Sequence, residues 1–108
     1  MDACEIVFGY NQIMTQIGIK TLKDLPQGEF EVTVRSSTVT HHKVTLTQEY
    51  YEKLTAGAVS AEELVRISFE FLLAREPNTS ILSDFDLSVI SNYFPVYEQE
   101  MKSRYLTS

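Results

Sequence analysis

HHKVTLT, residues 41–47, contains both histidines of this 108-residue chain, and a pair of adjacent histidines raises the question of a bound metal. Neighbouring residues on a strand point to opposite faces, so His41 and His42 cannot readily converge on one ion. No CxxC, HxxxH or acidic cluster at ligand spacing joins them, and no metal ligand is assigned. Cys4, the single cysteine, lies between Asp2 and Glu5. Their negative charge disfavours the thiolate that nucleophilic chemistry requires. Glu98 and Glu100 fall on different faces of a helix, and Glu62 and Glu63 suit the positive end of a helix dipole. Walker, GxGxxG, GxSxG and HExxH patterns are all missing from the sequence. The expectation is therefore no catalytic residue, no cofactor and a non-catalytic role.

The length suits one domain with a modest core that needs no staples. Net charge is −6 and uneven. Residues 1–34 and 76–108 each carry two basic and five acidic groups, while residues 35–75 carry five of each. Such a chain repels phosphate backbones, which places nucleic-acid binding at a disadvantage outside the neutral middle. A lone cysteine, the acidic start MDACEIVFGYNQIM and the want of any run near about 18 apolar residues point to a cytoplasmic protein off the membrane. Asn78-Thr79-Ser80 matches a glycosylation sequon but reads better as a cap and turn.

Any functional side chain must be held by the elements that the patterning predicts. Residues 1–20 lack a clean period and read as a peripheral segment, with 1–13 poorly ordered and 21–108 forming a single α+β domain. LPQG at 25–28 signals a turn, with Pro26 fixing φ and Gly28 permitting positive φ. EFEVTVR and VTHHKVTLT then alternate, with Phe30, Val32, Val34, Val44 and Leu46 inward, and predict an antiparallel hairpin. Thr47 caps a helix over QEYYEKLT, Gly57 suits its C-terminus, and Ser60 caps the next helix, which Pro77 stops. Asp86 caps a shorter helix over LSVISNYF, and Pro95 opens a last one carrying Tyr97, Met101 and Tyr105 as one stripe. The fold class is α+β: a small antiparallel hairpin or ribbon followed by about four α-helices.

SAEELVRISFEFLLARE, residues 60–76, is the most regular stretch. Leu64, Val65, Ile67, Phe69, Phe71, Leu72 and Leu73 spread over most of the helix circumference. Only a strip holding Glu63, Arg66 and Glu70 is consistently polar, and Ser68 and Arg75 interrupt the apolar side. One neighbour usually covers less than that. The helix is either central in its own domain or shared with a second chain.

HKVTLTQEYYEKL followed by VSAEELVRISFEFLL resembles the ribbon-helix-helix pattern of small bacterial repressors and antitoxins. The resemblance implies an obligate dimer whose strands pair across a twofold and enter a DNA major groove. Lys43, Thr45 and Thr47 would face the bases, and the Ser60 helix end would face phosphate. Against it stand a short first helix, a second strand at 29–35 able to pair within one chain, and only one basic strand position, Lys43. The stretch from TLTQEYYEKL to NYFP is also similar to short bacterial proteins of unknown function, which carry no activity to transfer.

The aromatic residues concentrate in the C-terminal two-thirds, and Phe69, Leu73, Tyr93, Phe94 and Tyr97 are the candidate interface. The leading reading is a homodimeric protein-interaction module of unknown partner. The alternative is a ribbon-helix-helix type DNA-binding regulator or antitoxin.

Overall fold

A computed structural model describes residues 15–106. The fold is α+β: a four-stranded, mostly antiparallel sheet and four α-helices. Strands β1 (Gln16–Lys23), β2 (Gln27–Arg35), β3 (Val39–Thr47) and β4 (Asp84–Asp86) lie side by side in that order. β1, β2 and β3 form an antiparallel meander, and β4 runs parallel to β3. Helices α1 (Gln48–Thr55), α2 (Ala61–Leu73), α3 (Ile90–Tyr93) and α4 (Val96–Tyr105) are the α-helices of the described residues.

The predicted hairpin is β2–β3, paired from Arg35 opposite Val39 to Gln27 opposite Thr47. Its alternation sends Phe30, Val32, Val34, His42, Val44 and Leu46 into the core. β1 was not legible as a strand and crosses the boundary drawn at residue 20. Only Ile17, Ile19 and Thr21 carry its period-2 signal, and a register irregularity between Thr21 and Lys23 cuts that signal short. The expectation for residues 1–13 lies outside the described residues.

LPQG does turn the chain, with a cis Leu25–Pro26 bond, but Gly28 already belongs to β2 and does not have positive φ. It is needed there for space. A Cβ at this position would lie 2.9 Å from the Phe30 ring and 3.3 Å from the Leu46 carbonyl oxygen. Positive φ occurs instead after α1, at Ala56 (50°) and Gly57 (79°), where a helix end calls for it.

The three predicted N-caps form. Thr47 Oγ1 accepts from the Tyr50 amide at 3.1 Å, and Ser60 Oγ accepts from the Glu63 amide at 3.1 Å. Asp86 caps as expected, accepting from the Ser88 amide. The segment it starts is a 3-10 turn, Leu87–Val89, followed by the four residues of α3 rather than one continuous helix.

The wide apolar face of α2 is satisfied within this one chain. Phe69 lies toward the sheet, with ring centroids 5.3 Å from His42 and 6.0 Å from Phe85. Phe71 lies toward the C-terminal helices, 5.2 Å from Tyr97 and 5.9 Å from Phe94. Ser68 turns its hydroxyl to the Leu64 carbonyl at 2.7 Å and meets the Tyr97 hydroxyl at 2.6 Å. Arg75 donates to the Phe71 carbonyl and lays its guanidinium 3.6 Å from the Phe71 ring. The remaining strip is the predicted polar one, where Arg66 bridges Glu63 and Glu70 in solvent. Among the described residues, no helix is long and apolar enough to cross a membrane.

Candidate functional site

The residues that the ribbon-helix-helix resemblance placed against DNA have other engagements. β3 is hydrogen-bonded on both sides, by β2 and by β4, so it offers no free edge along its middle for pairing across a twofold. Lys43 sits opposite Glu31 on one side and Asp84 on the other, and its ammonium lies 3.5 Å from Glu29. Thr45 donates to Asp86 at 2.7 Å. Thr47 and Ser60 are spent as helix caps. The strand's surroundings are thus acidic where a phosphate backbone would require the opposite sign.

The five candidate interface residues separate. Phe69 and Tyr97 are fully buried and belong to the core. Leu73 is partly buried against it and takes no part in the groove described next. Tyr93 and Phe94 come together at the surface, and Tyr93 is 65% exposed.

These two residues help line an apolar groove of about 140 Å³. The buried side chains of Leu72 in α2, Ile81, Phe85 in β4 and Ile90 in α3 supply its apolar lining. Leu82 and Val89 also line it, together with Glu76 and Ser80. Leu82 is 46% exposed, so apolar surface continues from the groove onto both rims.

The segment that carries Ile81 and Leu82 is pinned to the sheet by buried polar groups. Asn78, buried within its 3-10 turn, donates to the Thr38 carbonyl at 2.8 Å and to Thr40 Oγ1 at 3.0 Å. It is an anchor between loop and sheet, where the sequence suggested a simple cap. His42, only 3% exposed, donates from Nδ1 to the Leu82 carbonyl at 2.7 Å, while Nε2 lies 2.8 Å from Thr40 Oγ1. The Lys43 amide adds a backbone bond to the Ser83 carbonyl. His41, by contrast, is exposed on the other face, as strand alternation requires. The second histidine therefore positions a loop.

Ile81, Leu82, Phe85 and Val89 were missed as site residues. A signal for the first three existed: Ile81, Leu82 and Phe85 are large apolar residues inside a segment that otherwise reads as loop, and such residues need a surface to cover.

One titratable cluster lies elsewhere. Tyr50 donates to Glu98 at 2.8 Å, and Lys53 stands 3.3 Å from the other Glu98 oxygen. The Tyr50 bond holds the Glu98 carboxyl below its ordinary range, and burial holds the Tyr50 phenol above its own. Neither group is poised near neutrality, where general acid–base work is most effective. The cluster ties α1 to α4. Among the described residues, no group of three or more histidine, cysteine or carboxylate side chains is placed to hold a metal ion.

Comparison of the chain with protein-family models, with curated proteins and with solved structures finds no match.

Proposed function

We propose that this chain is a non-catalytic, self-associating protein-interaction module that grips a partner through the groove between α2, the loop at residues 77–83 and α3. The observation that carries this reading is the groove itself: a mostly apolar lining, a lining segment pinned to the sheet, and a largely exposed tyrosine. At about 140 Å³ it falls below the roughly 300–1,000 Å³ of ordinary small-molecule sites and suits a single anchoring side chain. Exposed tyrosine beside buried aromatic residues is the composition favoured at interface centres. Glu76 in the lining and the net charge of −6 favour a partner segment with basic residues flanking its anchor.

Panning a random peptide library on the immobilised protein, with Val89→Arg as the counter-selection, tests this. The expected result is enrichment of peptides with a leucine or aromatic anchor beside lysine or arginine, bound by the parent and not by the variant. No enrichment, or equal capture by the variant, would remove the groove from the account.

A further inference from the structure

The strand order leaves one long edge open, because among the described residues β1 pairs only with β2. The other edge, β4, is three residues long. Ile17 and Ile19 pair with Val34 and Val32, which are fully buried on the core face of the sheet. Both isoleucines pack against that core yet stay only partly buried, and among the described residues no strand lies beyond theirs. Free backbone groups beside half-covered apolar side chains form a template for another strand.

We propose that the occupant of this edge is a second copy of the chain, with β1 lying antiparallel to β1 about a twofold centred on Ile19. This rests on the self-associating part of the reading above and assigns that association to a surface separate from the groove. The choice follows from register. A slip by one residue would set isoleucines opposite outward-facing residues, so only registers preserving the face are open. Centring on Lys20 would place that ammonium against its own copy, which is unfavourable for directly opposed like charges. Centring on Gly18 would end the matched strand at Lys20. Centring on Ile19 runs from Gln16 to Leu22, sets Ile19 against Ile19, and places each Lys20 opposite Gly18 of the second copy. The strand is then self-complementary, and glycine stands where the lysine needs room.

Residue 18 gives the test. Among the described residues a Cβ there meets nothing closer than the Thr33 carbonyl oxygen at 4.0 Å, so side chains fit against the rest of the sheet. Gly18→Glu creates two cross-strand pairs with Lys20, and Gly18→Lys creates two repulsions. The dimer dissociation constant, read by sedimentation equilibrium, should fall for the first and rise for the second, each by roughly 2- to 30-fold. The Glu effect should shrink at about 1 M salt. Weakening by both variants would overturn the Ile19 register. A dimer indifferent to both charges would place self-association on another surface and overturn the proposal while sparing that reading. A monomer at every concentration would overturn both, leaving the groove to its own test.

Discussion

The contact between Ser68 and Tyr97 joins α2 to α4, and its two halves should respond unequally to mutation. Both side chains are fully buried. Ser68 has one proton, which goes to the Leu64 carbonyl at 2.7 Å, so the Tyr97 hydroxyl is the donor in the 2.6 Å contact between them. Tyr97→Phe removes that donor and leaves Ser68 still bonded to Leu64, for a cost of about 0.5–1.5 kcal/mol. Ser68→Ala instead strands a phenol O–H in the core, which costs about 1–3 kcal/mol. The double variant removes donor and acceptor together and should cost no more than Ser68→Ala alone. With a urea slope of about 2 kcal/mol/M, the midpoint should move by about 0.5–1.5 M for Ser68→Ala. It should move by about half that for Tyr97→Phe. Far-UV circular dichroism at one fixed protein concentration reads all four proteins. Costs that add within about 0.3–0.5 kcal/mol, or a larger loss for Tyr97→Phe, would refute the assigned direction of the bond.

Three further outcomes follow from the same geometry. Gly28→Ala forces a Cβ to within 2.9 Å of the Phe30 ring and should lower stability by about 1–3 kcal/mol, measured by urea titration. Asn78→Ala removes the bonds that tie the groove-lining loop to Thr38 and Thr40. Hydrogen exchange at residues 80–83 should accelerate while the β2–β3 amides stay protected, with a stability loss of about 1–3 kcal/mol. Alkaline pH should destabilise the fold, because burial raises the Tyr97, Tyr50 and Tyr105 phenols above their ordinary 10.0. Below that value both states keep the proton. Above it the unfolded chain releases protons that the fold retains, so stability falls by up to about 1.4 kcal/mol per pH unit for Tyr97. The partly exposed pair adds less. Urea midpoints at pH 8 and pH 11 read the loss, and Tyr97→Phe should reduce it.

How much of this was legible in the sequence depended on whether the signal was local. Period-2 alternation marked β2 and β3, and side-chain oxygens at Thr47, Ser60 and Asp86 announced the starts of their helices, because each cue acts within a turn or two of chain. The circumference of α2 announced two partner surfaces, and whether they came from one chain or two was a tertiary matter. β1 was lost because Gly18 and the irregularity before Lys23 left too short a pattern. β4 was lost because three residues hold no pattern at all. The groove depended on contacts spanning about forty positions, such as His42 to Leu82 and Asn78 to Thr38. Nothing at either end of such a contact announces the other. Tyr93 and Phe94 were legible as candidates, but the exposure that distinguishes them from Phe69 and Tyr97 belongs to the fold.

The groove as a partner site is tested most directly by methyl NMR. A synthetic peptide with one leucine or phenylalanine flanked by arginines is titrated into protein labelled at isoleucine, leucine and valine methyls. The account predicts saturable shifts centred on Leu72, Ile81, Leu82, Val89 and Ile90, abolished by Val89→Arg. Saturable shifts centred on Val39 and the solvent face of the sheet, with the groove methyls unmoved, would contradict it.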